Sequence, residues 1–392
     1  MNAPPFADWA IAFLQLLYRA QIALAHGLHA IGLTGDADGQ AAWPWAHRIA
    51  LETLRIDAGL TRQLALACGV TALAVVLACA ALASRKWRIA SAIAALAIAW
   101  FAPWPPASLW LAPAVPTSFQ RDPAPFSVAN VMRGAHLYTQ HCAACHGADG
   151  RGEGPLAATL AHWPPTFAGT LLARRLDGEL FWRVRHGTQD EHGASTMPGF
   201  AATLGPQDTW AVLDYLKALA AGSGAQEGAW PVPVPLPALD VRCGDAAPQA
   251  LERWREGQRV RVVALEPGAT PPPEDARWQT LLVTENGGLV PPSTGSRANC
   301  VATTADAWRA FATIAGVAPE ALAGTQLLAD RRGWLRARAL PGSAGWSDAD
   351  LLCRSDAVAR PAARATSGDA LTALLLRVDN EPVRDVQAGL PH

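Results

Sequence analysis

Residues 64–83 (LALACGVTALAVVLACAALA) run for 20 positions without a charge. No other stretch restricts the fold as much, because a helix of that length covers the bilayer's hydrocarbon core and satisfies its own backbone there. The basic loop Ser84-Arg85-Lys86-Trp87-Arg88 follows, then a second apolar stretch over 89–111 with Trp104 and Trp110 near its end. Tryptophans at the end of a span suit the membrane interface, and the Arg85-Lys86-Arg88 cluster assigns the loop between the spans to the cytoplasm. Both outer ends then face the other side. Everything after Leu111 is expected in the periplasm of a bacterial inner-membrane protein.

Residues 9–33 are apolar but contain Gln15, Arg19, Gln21, His26 and His29, which fits a first span or an amphipathic helix lying in the interface. No basic segment with a small-residue cleavage site precedes them, which argues against a removed signal peptide. His26 and His29 share a helix face and, with His47, could hold haem b or copper. Cys68 and Cys79 lie within a span and read as small apolar packing residues. A length of 392 residues favours two or three domains, and a formal net charge of −1 argues against a nucleic-acid surface.

The chemistry is concentrated in Cys142-Ala143-Ala144-Cys145-His146. Two thiols three positions apart lie on one face of a helical turn, where they can add across the two vinyl groups of a haem, and the next residue brings an imidazole beneath the iron. A structural zinc site would need a second ligand pair, and the chain has no other Cys-x-x-Cys or paired Cys/His cluster. One covalent haem c is therefore expected, with Cys142 and Cys145 as anchors and His146 as an axial ligand. The glycine-rich run from Gly147 to Leu156 allows the backbone to wrap tightly, and Pro155 is placed to offer its carbonyl to Nδ1–H of His146. Of Met1, Met132 and Met197, only Met197 falls in a polar loop well downstream, so it is the candidate distal ligand. His186 and His192 are its rivals.

Ser127 can cap a helix carrying Val128, Val131, Leu137 and Tyr138, and Gly134 on that helix permits a close crossing. A short helix is expected around 178–186. Another begins near Gln207-Asp208 and carries Val212, Tyr215, Leu216 and Leu219 on one face. With these features in place, residues 126–220 resemble a class I cytochrome c. The resemblance rests on the Gly134/Tyr138 helix, the CAACHG run, Gly154-Pro155, the Met197-Pro198-Gly199-Phe200 loop and the aromatic last helix. It implies an all-α domain with His146 and Met197 as axial ligands. The lead-in Pro116-Thr117-Ser118-Phe119 and Arg133-Gly134-Ala135 are similar to the cytochrome part of membrane proteins related to the CopD copper-resistance type.

Gly222-Ser223-Gly224, followed by Pro231, Pro233, Pro235 and Pro237, reads as a flexible and then extended linker over 223–238. Beyond it, 259–265 and 279–283 read as strands, Thr304 as the cap of a helix carrying Trp308 and Phe311, 324–338 as a hairpin turning at Gly333, and Ser347 as the start of a last helical region. The Asp330-Arg331-Arg332-Gly333 hairpin resembles the second half of a thioredoxin-like domain. There is no Cys-x-x-Cys here, and Ala323 and Gly324 stand where that family usually has its cis-proline, so a docking role is favoured over thiol exchange. Cys243, Cys300 and Cys353 allow three disulfide pairings with one thiol left over.

The expected layout is a helical membrane anchor over 1–115, an all-α cytochrome domain over 120–222, the linker, and an α/β thioredoxin-like domain over 239–392. The function this implies is a carrier of single electrons between redox partner proteins in the membrane or periplasm, rather than an enzyme. The competing reading is a redox sensor, or a thiol-redox or copper-handling membrane protein in which the haem domain is accessory.

Overall fold

In the computed structural model, residues 8–83, 88–169, 171–230, 233–290, 299–343, 345–353, 370–381 and 383 are described. The chain divides into two compact units, Met1–Gln120 and Arg121–Gln387.

In the first unit, helix α1 (Asp8–Ala30) buries one seam, Ala10, Leu14, Tyr18, Gln21 and Ala25. A small cap follows, with a two-stranded ribbon (β1, Asp36–Ala37; β2, Gln40–Ala41), strand β3 (His47–Ile49) and short helix α2 (Leu51–Ile56). Helix α3 (Ala58–Ala83) and helix α4 (Arg88–Trp100) pack against each other. Among the described residues, Trp9–Ala30 and Ala58–Cys79 are long and apolar enough to cross a membrane. The stretch over 89–111 is not one continuous helix. It ends as helix at Trp100, because Pro103, Pro105 and Pro106 remove backbone donors and clash with a preceding turn. The chain continues through one turn of helix (α5, Ala107–Trp110) into strand β4 (Leu111–Pro113), which pairs antiparallel with β3. Trp43 stacks edge-on against Phe119 at 4.6 Å, and buried Arg48 pairs with Glu52 at 2.9 Å.

The second unit starts with helix α6 (Val128–His141), capped by Ser127, whose side chain accepts from Asn130 N at 3.1 Å. One turn of helix (α7, Ala143–His146), helix α8 (Asp177–His186), a ribbon of strands β5 (Thr188–Gln189) and β6 (Ser195–Met197), and helix α9 (Pro206–Gln226) complete the helical part. The β-part follows, with strand β7 (Asp240–Cys243), strand β8 (Gln249–Ala250), helix α10 (Leu251–Arg255), strands β9 (Val260–Ala264), β10 (Gln279–Val283) and β11 (Cys300–Ala302), helix α11 (Asp306–Ala315), strands β12 (Gln326–Ala329) and β13 (Leu335–Ala339), and helix α12 (Ala370–Asn380). The strands form one mixed sheet in the order β13-β12-β9-β10-β11-β7-β8, with β9, β10 and β11 parallel. Cys243 and Cys300 lie opposite each other on β7 and β11 and form a disulfide, and Cys353 is buried outside it.

The stretch expected as a linker is packed wherever it is described. Gly222-Ser223-Gly224 is helical and buried in α9, and a Cβ on Gly222 would lie 2.0 Å from Thr313 O. The glycines therefore let α9 touch α11 backbone to backbone. The described part of the proline-rich segment is hydrogen-bonded on two sides: Leu335 N donates to Val234 O at 3.0 Å, and Ala238 N to Phe126 O at 2.9 Å. Arg338 donates to Ala315 O at the end of α11 and, at 2.7 Å, to Ala225 O at the end of α9. One apolar core runs from Val128 and Val131 on α6, through Ala218 and Ala221 on α9 and Phe311 on α11, to Val260 and Leu281 in the sheet.

Candidate functional site

The geometry around the cysteine pair begins with a helix crossing. A Cβ on Gly134 would stand 1.9 Å from Ala211 O and 2.8 Å from Tyr215 Cβ, so only glycine lets α6 meet α9 at this depth. The crossing directs the end of α6 into the Cys-x-x-Cys-His turn. Cys145 N and His146 N donate to Cys142 O at 3.1 and 2.9 Å, which places both thiols and the imidazole on successive positions of one turn. Neither Cys142 nor Cys145 is in a disulfide. Burial, with Cys145 nearby, pushes the Cys142 thiol up to about 11.

The following loop is stitched back onto this turn. Gly152 N donates to His146 O, Gly154 N to Cys145 O and Leu156 N to Ala144 O. Tyr138, buried at the crossing, donates its hydroxyl to Gly147 O at 2.7 Å. His146 is 9% exposed, and its Nδ1 is buried without a hydrogen-bond partner. No hydrogen bond joins the Pro155 carbonyl to His146; Pro155 is exposed on a turn whose flanking amides, Gly154 N and Leu156 N, donate to the cysteine turn. Phe167 N donates to Gly150 O at 2.7 Å, which brings 164–167 back over the site and stacks the Phe167 ring on His146 at 4.7 Å. Burial lowers the His146 pKa, and the backbone of Pro165 opposes this.

Met197 is carried by the β5–β6 ribbon, paired with Thr188. The Asp190 carboxylate shapes the turn, accepting from His192 N and Ala194 N at 2.9 Å each; these bonds and His162 at 3.6 Å hold its pKa below the ordinary value. Met197, Phe200, Cys142, Ala143 and Phe167 are all half-buried against one core made of Tyr138, Phe181, Leu213 and Leu216. The structure thus brings Cys142 and Met197 to the same core. His186 is exposed and lies against Trp182 at 3.8 Å, while His192 is exposed and 3.9 Å from Glu191. Sequence reading missed Phe167 and Asp190. The Asp190 turn was signalled by Gly193 three positions on, whereas nothing local marked Phe167.

A buried polar group sits on the side of α9 that meets α6. Asp214 is 3% exposed and accepts from Asn130 Nδ2 at 3.4 Å. Lys217 donates to Asp177 at 2.9 Å. Burial, reinforced by Asp122 and Asp177 against Lys217 and Asn130, raises the Asp214 pKa to about 7.

In the first unit, His29 Nδ1 lies 3.3 Å from Gly35 O. Among the described residues no group of three or more His, Cys, Asp or Glu side chains is placed to hold a metal ion.

Residues 129–216 match the family profile described as cytochrome C oxidase, cbb3-type, subunit III. Solved structures with similarity include "KustC0563 c-type cytochrome", at 28% identity over 22% of this chain and 95% of that one, with a TM-score of 0.19. The "Kuenenia stuttgartiensis reducing HAO-like protein complex Kustc0457/Kustc0458" matches at 20% identity over 32% of this chain and 59% of that one, with a TM-score of 0.23. No curated protein matches. The family match supports a cytochrome c domain within the helical part of the second unit, and with it an electron-transfer haem protein.

Proposed function

We propose that the chain is a membrane-anchored monohaem cytochrome c whose haem domain works in the periplasm, carrying single electrons between a donor and an acceptor protein. The carrying observation is the Cys142–His146 turn: two unlinked thiols on one turn, followed by a buried imidazole held between the Pro165 backbone and the Phe167 ring. This donor set fits a haem held by two thioethers and by His146 Nε2, and the half-buried thioether of Met197 in the same core suits the distal position. Bound there, the haem would supply a one-electron couple, raised in potential by Met/His ligation. The protein's part is to hold His146 with Phe167 and the stitched loop, to exclude water through the Tyr138, Phe181 and Leu213 core, and to leave the iron without an open position. A six-coordinate iron favours outer-sphere transfer over substrate chemistry.

The anchor reading rests on the two long apolar helices and the basic residues that follow α3. The β-part, resembling a thioredoxin-like domain, lacks a Cys-x-x-Cys and is read as a docking and supporting element. Purified protein should retain haem staining on a denaturing gel and give a reduced-minus-oxidised spectrum with a sharp α-band. Substitution of both Cys142 and Cys145 by Ala should abolish the stain, and full staining of that variant would end the haem c reading.

A further inference from the structure

The second unit buries more negative than positive charge beside the α6–α9 crossing, and the imbalance has a consequence for the proposed electron chemistry. Four elements supply the groups that face Asp214. The segment before α6 contributes Asp122, α6 contributes Asn130, α8 contributes Asp177, and α9 contributes Lys217. Arg133 of α6 and Asp208 of α9 satisfy each other at 2.6 Å. Lys217 donates to Asp177 at 2.9 Å, so its charge is largely matched before Asp214 is counted. Asp214 itself has one long hydrogen bond from Asn130, and Oδ2 of Asp122 is buried without a partner.

A carboxylate that is out of water, next to two others and short of donors, is strongly disfavoured in its charged form. The cluster responds accordingly. Burial raises the pKa of Asp122 as well, and although burial alone would lower the Lys217 pKa, the three aspartates keep it above its ordinary value. Asp214 stands between Leu213 and Tyr215, which pack in or against the core that meets Cys142 and Met197. Tyr215 meets Tyr138 at 5.3 Å, and Tyr138 donates to Gly147 O next to His146, so packed side chains link the crossing that holds Asp214 to the cysteine turn, and a charge buried in protein is weakly screened.

We propose that Asp214 is a proton-binding site linked to the haem, taking up a proton when the haem accepts an electron and releasing it on oxidation. The step balances as one electron from an external one-electron donor, one proton from solvent, ferric haem and Asp214 carboxylate going to ferrous haem and Asp214 carboxylic acid. The sign follows from charge. An electron on the iron makes the surroundings less positive, so the carboxylate form is stabilised less and the proton is held more tightly. Reciprocally, ionising Asp214 disfavours reduction, and the midpoint potential falls as pH rises across the neutral range.

This inference rests on the haem reading, and its test separates the two. Redox titrations of the full-length haem protein, with dithionite and ferricyanide between pH 5 and 9, should show a potential that declines around neutrality. A tenfold difference in proton affinity between the redox states corresponds to about 59 mV between the two plateaus. Asp214→Asn, which keeps the shape and removes the ionisation, should flatten this step. Lys217→Gln should move it to higher pH, since a neighbouring cation is lost. A readout that needs no variant is the reduced-minus-oxidised infrared difference spectrum near pH 7, in which reduction should add a protonated-carboxyl stretch that shifts in heavy water. A potential independent of pH, a step unchanged in Asp214→Asn, or the absence of the carboxyl band overturns the proposal while leaving the haem reading intact. A purified chain without covalent haem overturns both.

Discussion

Met197 and Asp214 are the two residues where the proposed chemistry can be struck at a single side chain. Met197→Ala should remove the weak band near the red edge of the visible spectrum that a ferric iron–thioether bond gives. It should also lower the potential and open the iron to carbon monoxide, with the haem still covalently attached. A parent protein without the band, with an iron still closed to carbon monoxide in Met197→Ala, would transfer the distal role to His186 or His192, although their exposed positions argue against them. Asp214 also makes a prediction about stability. Its pKa rises from 3.8 to about 7 on folding, so the folded chain holds this proton more tightly than the unfolded chain does. The contribution of Asp214 is therefore most favourable below pH 4, falls as pH rises from about 4 to about 7, and stays at its least favourable above that. Denaturant titrations at pH 5 and pH 8 should differ by a few kcal/mol less in Asp214→Asn than in the parent, since each pKa unit is about 1.4 kcal/mol. Equal pH dependence in the two proteins would remove Asp214 as its source.

Among the elements, the α6–α9 crossing and the cysteine turn were legible in the sequence because their signals are local. Ser127 caps, Gly134 permits approach, and Tyr138 and Tyr215 mark apolar faces at helical spacing. Part of the β-part was legible for the same reason, in the apolar runs at β9 and β10 and the β12–β13 hairpin turning at Gly333, whereas the short strands β7, β8 and β11 carried no such run. The strand order in the sheet was not legible, because register depends on partners far apart in sequence. The Gly222-Ser223-Gly224 segment misled for a physical reason. Small residues that lower helix propensity in isolation also let two backbones touch, and here contact with α11 wins over propensity. Two substitutions test these elements. Gly134→Val should cost about 3 kcal/mol or more by forcing α6 off α9, read as a lowered denaturant midpoint and reduced haem incorporation. Arg338→Leu removes the charged donor that joins the carbonyls of Ala225 and Ala315 and should cost about 1–3 kcal/mol by the same measurement. An unchanged midpoint in either variant would deny that contact its role.

For the molecule as a whole, charge around the apolar helices and haem chemistry make a joint prediction about sidedness. A reporter fused after Gly228 should be active only if it works in the periplasm, and one inserted at Lys86 only if it works in the cytoplasm. The opposite pattern would invert the topology and contradict haem attachment. The strand pairing of β3 with β4 ties the chain before α3 to the chain after α4, so both ends of that hairpin must emerge on one side. A chain ended at Gln226 would leave Val128, Val131, Ala218 and Ala221 without the α11 and sheet residues that cover them, and should aggregate rather than yield a small soluble cytochrome. The junction at Gly222 also bears on how electrons reach a partner. A flexible tether of about 15 residues would let a haem sweep a radius of roughly 20 Å and meet its acceptor at an effective concentration in the millimolar range. A helix that belongs to two cores at once forbids that search. On the proposed function, a haem so held would face only the directions that the α/β part leaves open, and delivery would turn on whether the acceptor arrives in the right orientation. A partner that recognised the α/β surface would find the donor already aimed.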